Sequence, residues 1–430
     1  NALTPELQNL FQTNQLMAVI VNPARLGVPG PALAGDVATF ERDVVIADWR
    51  MTAAVGDSLN STSYNNILIM KYCDGTLLER VCNPNKWVEV DSFSVSAGSS
   101  TDTSVALTGL SSYLQSYLTA GIKAAADGND LYDDFARIVQ DPNWQGYIVL
   151  AADVDPSGFP DQIKGLIAGI DFTQFRAHHF GATASRVQVS GTSVTLQTPS
   201  SLFGLIDYEL PVYKANVAAG GNPDMPVPLP DNGDFGFQVL QLQTLFRNAA
   251  MVDFRSHVQL SINQLFLSPV IAAYGAIGKL PATAVVLNGS YQRQGDTGVY
   301  VFEQNASTRF QLGSNVLPAV AIQRVVFNTL SSGSDHGDDG IVRSRFLMSG
   351  ALEFAVLSVL LPDKSKRETD LLSFGPPADA APVAPAAGLC FSGLEVSMSS
   401  PADAPNAVTF IFEASRLALD QGASQARAHS

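Results

Sequence analysis

Gln241-Leu-Gln-Thr-Leu-Phe-Arg-Asn248 followed by Arg255-Ser-His-Val-Gln-Leu-Ser-Ile-Asn-Gln-Leu-Phe266 reads as strand, loop and strand, with apolar and polar residues alternating. The order returns in Ala321-Ile-Gln-Arg-Val-Val-Phe-Asn328 and Arg343-Ser-Arg-Phe-Leu-Met-Ser-Gly-Ala-Leu-Glu-Phe354. Gln243 and Asn248 fall on Gln323 and Asn328; Arg255, Ser256, Ser261 and Phe266 fall on Arg343, Ser344, Ser349 and Phe354. The offset is 80 residues before the loop and 88 after it, so the second copy carries eight extra loop residues. Collinear identities of this kind point to a duplication. Arg255–Phe266 and Arg343–Phe354 are therefore expected to be equivalent strands of superposable β modules. Ser256 and Ser344 should point to the same side, because the side-chain period of a strand is two.

Outward from this pair, proline marks the boundaries. Gly221-Asn-Pro-Asp-Met-Pro-Val-Pro-Leu-Pro230 cannot join a ladder and reads as an extended spacer. A second segment, Gly375 to Gly388, holds four prolines and six alanines. Beyond it, Leu389–Met398 and Val408–Glu413 read as strands of a degenerate third copy. The N-terminal half mixes helix and strand. Thr4-Pro5-Glu6 opens a helix to about Asn14. Strands follow at Leu16–Val21, Val44–Ala47 and Asn66–Tyr72, the last nearly continuous in apolar residues and so central in a sheet. Leu110, Tyr113, Leu114, Tyr117, Leu118 and Ile122 recur at three-four spacing and predict a long helix to Ala126, which Gly128 terminates. A shorter echo runs from Arg80-Val81 to Trp87 and from Arg137-Ile138 to Trp144: a helical stretch, a Pro-Asn pair, then a strand opened by tryptophan. Both tryptophans are expected to be buried. Further strands are expected at Ala184–Val189, Ser193–Gln197 and Leu202–Tyr208.

The expected organisation is thus mainly β with an α+β N-terminal region and C-terminal tandem antiparallel, sandwich-like modules. A mixed α/β or α+β domain spans 1–216 and the spacer 217–234. Two β modules span 235–374, a Pro/Ala linker 375–388 and a terminal β segment with a frayed tail 389–430.

Composition narrows the function. Hydrophobic residues at 46% with charged residues at 15% exclude a disordered tail or a charge-patterned coiled coil. A net charge of −15 opposes binding to nucleic-acid phosphates and anionic membranes. The longest apolar run, Phe354–Leu361, is far short of the roughly 20 residues that span a bilayer and reads as a buried strand. The chain begins at Asn1, the expectation being a processed product or a piece of a longer protein. Three cysteines, Cys73, Cys82 and Cys390, argue against a disulfide framework. Cys73 and Cys82 are spaced to bridge in an oxidising compartment, but buried free thiols are expected. The glycosylation-type triplets at Asn60, Asn288 and Asn305 carry no weight without a known host.

Three places hold residues suited to chemistry. His178-His179 follow Asp171, yet a metal needs at least three converging ligands and neighbours on a strand point to opposite faces. One histidine should be buried and the other exposed. Asp153-Val-Asp155 precedes Pro156 and Gly158: residues two apart share a face, as acid-base carboxylates do, but turn chemistry explains the same letters. Asp335, Asp338 and Asp339 fill the inserted loop with oxygen ligands suited to calcium, but lack the spacing of a calcium-binding loop. A solvated, metal-free hairpin tip is expected. Nucleophile-elbow, phosphate-loop, zinc-protease, Cys-x2-Cys and dinucleotide motifs are absent. The expectation is a non-enzymatic structural or protein-binding component of a larger assembly, extracellular, cell-surface or particle-associated. It should need no cofactor, and its partners should be other protein chains or further copies of itself. The alternatives are a hydrolase using Asp153, Asp155, Asp171 and one of His178 and His179, and carbohydrate-binding modules using Trp87, Trp144 or Tyr291 as stacking platforms.

Overall fold

The computed structural model of the chain describes residues 9–10, 12–20, 40–55, 66–83, 103–154, 158–184, 187–190, 193–196, 201–229, 233–276, 278–294, 297–330, 341–360, 366–370, 389–401, 407–413 and 418–419. Trp87, Asp155, Asp335, Asp338, Asp339 and the 375–388 segment lie outside them. The chain is mainly β and forms two compact units, each assembled from separated stretches: 1–158, 172–208 and 243–253 in the first, 159–171, 209–242 and 254–430 in the second.

The first unit is an antiparallel sheet with helices packed on one face. β1 (Gln15–Ile20) pairs with β4 (Ile67–Cys73), β4 with β5 (Gly146–Asp153), β5 with β6 (Arg176–Thr183), and β6 with β9 (Ser201–Glu209). The unit also contains two hairpins, β2 (Phe40–Ile46) with β3 (Trp49–Val55) and β7 (Val187–Ser190) with β8 (Ser193–Leu196). Residues 9, 10 and 12 are helical, and among the described residues three further helices lie between β4 and β5. The first, α1 (Leu77–Val81), starts at a capping box in which Thr76 and Glu79 satisfy each other's backbone N–H groups. α2 (Thr103–Ala126) begins seven residues earlier than its apolar spacing indicates, and a 3-10 turn (Asp130–Tyr132) leads into α3 (Asp133–Gln140).

Alternate residues of the strands, Ile67 and Ile69, Ile148 and Leu150, Phe203 and Leu205, meet the helix stripe of Leu110, Leu114 and Leu118 in one core. Trp144 joins this core, 5% exposed and two residues ahead of β5, with its indole N–H donated to Thr183 Oγ1 at 3.1 Å. Lys71, on the core face of β4, is fully buried. Its ammonium donates to the carbonyls of Trp144 at 2.6 Å and Pro142 at 3.2 Å, pinning the Pro-Asn turn beneath it, and burial pulls its pKa down. Among the cysteines, Cys73 is a buried free thiol as expected; Cys82, at the C-terminal cap of α1, is also free but exposed.

The second unit is a set of antiparallel strands. β10 (Phe235–Arg247) and β11 (Ala250–Ile262), whose hairpin end 243–253 belongs to the first unit, are joined by a two-residue turn in which Asn248 and Ala249 both take positive φ. A two-residue bridge, β12 (Gln264–Leu265), turns into β13 (Ser268–Gly275), which also pairs with β14 (Gly278–Lys279) and β17 (Thr308–Leu312). β15 (Ala284–Gln294) pairs with β11 and with β16 (Thr297–Gln304); β18 (Ala319–Leu330) pairs with β17 and β19 (Ile341–Glu353). β20 (Val356–Leu360) and β21 (Lys366–Asp370) form a hairpin. β19 then meets β22 (Leu389–Pro401), which holds β23 (Thr409–Glu413) and β24 (Ala418–Leu419).

The matched windows are both antiparallel strands, and Ser256 and Ser344 are both buried, with Val258 and Phe346 two residues on. Their registers differ. Ser256 Oγ donates to the Gln241 carbonyl, whereas in the second window Ala321, the counterpart of Gln241, lies opposite Ala351, and Ser344 lies opposite Thr329. The eight extra residues are therefore not confined to a tip: the pairing has slipped along the strands, and Asn328 sits within β18 opposite Arg345 while Asn248 makes a turn. Both strands also end early, β11 at Ile262 and β19 at Glu353, so Phe266 and Phe354 lie outside them.

The proline spacer does not run free of this unit. After α4 (Pro211–Ala218), Pro226 and Val227 are buried, and Val227 packs with Tyr213, Leu240 and Val286. Its N–H and carbonyl both bond the side-chain amide of Gln259, at 2.9 and 3.0 Å.

Candidate functional site

Within the first unit, the unusual backbone and the unusual side chains coincide. Ala151, in the middle of β5, has φ of 49°, a left-handed conformation that a residue with a Cβ reaches only under constraint. On β6 the register against β9 shifts between Ala177 and His179, so His178 is an extra residue in the ladder. The bulge overrides the alternation that neighbouring strand residues normally obey. The rings of His178 and His179 meet, Nδ1 to Nδ1 at 2.9 Å, instead of pointing to opposite faces with one of them in solvent.

Aromatic rings enclose the pair. Tyr117 stacks on His178 at 4.7 Å, Tyr132 and Phe135 meet it edge-on at 4.9 and 4.8 Å, and Phe135 also lies 4.6 Å from His179. Tyr117 donates its hydroxyl to the His178 carbonyl. A second chain of bonds runs alongside: Tyr132 donates to Asp207 Oδ2 at 2.5 Å and Gln243 donates to Asp207 Oδ1 at 2.7 Å. Desolvation holds His178 down to about 4 despite the pull of the Asp207 carboxylate, and burial together with His178 holds His179 well below its usual range. Burial likewise pushes the Tyr117 phenol far up. At neutral pH the cluster is two uncharged imidazoles, one donating and one accepting, in an aromatic jacket. Such imidazoles are weak general bases, since a useful base has a pKa near the working pH.

The other sequence candidates do not gather here. Asp153 faces Arg176 across β5 and β6, paired with its Nε at 2.5 Å, and accepts from Asn66 Nδ2 at 2.8 Å. His179 lies three positions beyond Arg176 on β6, roughly 10 Å along a strand. Asp171 belongs to the second unit. Asp155 and the acidic loop of Asp335, Asp338 and Asp339 lie outside the described residues. Among the described residues no three His, Cys, Asp or Glu side chains are grouped as metal ligands.

Sequence reasoning missed Asp207, Tyr132 and Gln243. A signal was present: Asp207 follows Phe203 and Leu205 at spacing two, which puts a carboxylate on the core face of an apolar strand.

The second unit presents a different feature. Phe266 and Leu267 join β12 to β13 with φ of 51° and 61°, positions that normally take Asn or Gly. Phe266 is anchored edge-on against Phe412 at 5.5 Å, and Leu267 is 92% exposed. Ile271, at the bulge of β13, is 60% exposed. Gly313 N–H donates to the Pro269 carbonyl at 2.9 Å, bringing alongside the turn that carries Val316, 58% exposed. Each of these three apolar side chains stands largely in solvent.

No protein-family model, no curated protein and no solved structure matches the chain.

Proposed function

We propose that this chain is a non-enzymatic structural or protein-binding component of a larger assembly, and that sandwich-like β modules in its second unit present the contacts. The observation that carries the reading is Leu267. A leucine held at positive φ costs backbone strain while its side chain, almost wholly in water, gains nothing from burial, and such strain persists where it serves a function such as contact with a partner. Ile271 and Val316 are further exposed apolar side chains of the second unit.

Two observations count against the alternatives. Asp153, engaged by Arg176 and Asn66, is committed to holding two strands, which weakens a carboxylate-dependent hydrolase. Trp144 is buried and so offers no open face to a sugar ring, while Tyr291, partly exposed, packs on Tyr300 at 5.2 Å. Cell-surface or particle association remains part of the proposal, with other protein chains or further copies as partners.

Sedimentation velocity over a range of concentrations tests this. The wild-type chain should self-associate, and Leu267→Ser with Ile271→Ser should raise the dissociation constant about tenfold or more, as removal of a central apolar contact does. A chain that stays monomeric at every concentration, or associates equally well with both substitutions, would remove the support.

A further inference from the structure

Three side chains on one face of the second unit hold residues 224–227, two at the Asp224 carboxylate and one at the Val227 backbone. His257 and Asn288 lie opposite each other on β11 and β15, and Gln259 follows His257 by two, so all three share a face. Asn288 Nδ2 donates to Asp224 Oδ1 at 2.8 Å, and His257 Nε2 lies 3.5 Å from the same oxygen. Three residues along, the fully buried Gln259 amide satisfies both backbone groups of Val227. A side-chain amide that donates to one carbonyl and accepts from the adjoining N–H imitates a neighbouring strand. The floor beneath is Tyr213, Leu240 and Val286. Pro226 and Val227 face inward, Pro228 faces solvent, and Leu229 is half-buried.

Proline segments suit such a floor because they enter a groove already extended and so lose little entropy on binding. We propose that this face is a binding groove for an extended Pro-Val-Pro-Leu type of segment, filled in the isolated chain by its own residues 224–229 acting as a displaceable strap. A proline-rich segment of the same chemistry on a partner protein takes its place. The inference deepens the protein-binding reading above by naming a site and a class of partner, at a place separate from Leu267.

The test uses the full chain and a fluorescent peptide of residues 222–230, Asn-Pro-Asp-Met-Pro-Val-Pro-Leu-Pro. In wild type the strap competes, so binding should be weak. Val227→Asp with Leu229→Asp, and separately Pro226→Gly with Pro228→Gly, weaken the strap and should tighten peptide binding about tenfold or more. Adding Gln259→Leu to either should reverse the gain, because the peptide then leaves a buried N–H and carbonyl unpaired. Failure of both folded variants to bind more tightly than wild type, or indifference to Gln259→Leu, would overturn the groove. Native-state hydrogen exchange on wild type supplies a measurement that needs no variant. The Val227 amide should exchange through a local opening, faster than the amides of Val258 and Leu260 in β11. Equal protection of all three would show the strap to be fixed core and would also overturn it. Self-association through Leu267 is read by sedimentation and stands or falls separately.

Discussion

His178 illustrates how one extra residue in a strand changes the chemistry of its neighbours. The bulge turns its ring onto His179, the aromatic jacket buries His179 and withdraws much of the water from the partly exposed His178, and the proton affinity of both rings drops. The consequence for stability has a definite sign. In the unfolded chain a histidine takes up its proton near pH 6.5, while in the native state His178 does so only near 4. Between those values the unfolded state binds more protons, so stability falls as pH falls from 6.5 toward 4. The contribution is complete above the window, and for His178 its loss amounts to as much as about 3 kcal/mol. Urea melts at pH 7, 5.5 and 4.5 should show this, and His178→Phe should flatten the profile by about one bound proton. A flat wild-type profile would mean that the jacket does not exclude water.

At the scale of elements, the contrast is between stretches whose pattern states their environment and those whose environment comes from a distant part of the chain. The apolar stripe of α2 and the continuous apolar run of β4 were legible, as were the strands at Ser193–Leu196 and Leu389–Pro401, because burial on one or both faces leaves a periodic signature. The His178 bulge was not, since an extra residue has no periodic trace and its partner strand begins 23 residues later. Nor was the register slip between the two matched hairpins, because identities fix sequence order and not pairing. The nine-residue 3-10 segment Asp161–Gly169 also escaped notice: glycines at 165 and 169 interrupt any helical stripe. Those glycines are there for approach. A Cβ at Gly165 would lie 1.9 Å from Ser344 Oγ and 2.8 Å from the Phe327 ring, while the Gly165 N–H donates to Thr329 Oγ1 at 3.2 Å. Gly165→Val should therefore destabilise the protein by about 1 to 3 kcal/mol through overpacking. A chemical melt that leaves the midpoint unchanged would mean the segment can lift from β18 and β19 without cost.

At the scale of the whole molecule, that same segment decides whether the sequence can be cut. Residues 159–171 come between β5 and β6 in the chain yet belong to the second unit, where Gln238 Nε2 donates to the Gly169 carbonyl at 2.6 Å and the Tyr300 N–H donates to Gln162 Oε1 at 3.3 Å. Phe159, Ile163, Leu166, Ile167 and Ile170 are all buried. At about 1.5 to 3 kcal/mol for each large apolar side chain, their burial contributes on the order of 10 kcal/mol, as much as the whole net stability of a typical domain. A fragment of residues 209–430 retains nearly every strand of the second unit but lacks this piece. It should therefore fail to unfold cooperatively and should expose apolar surface to a dye such as ANS. A longer fragment starting at residue 158 restores the segment and should regain a sigmoidal urea transition, even though it carries part of the first unit with no complete core around it. If residues 209–430 alone melt cooperatively, the segment is an accessory to the second unit and the boundary at the proline spacer is a true one.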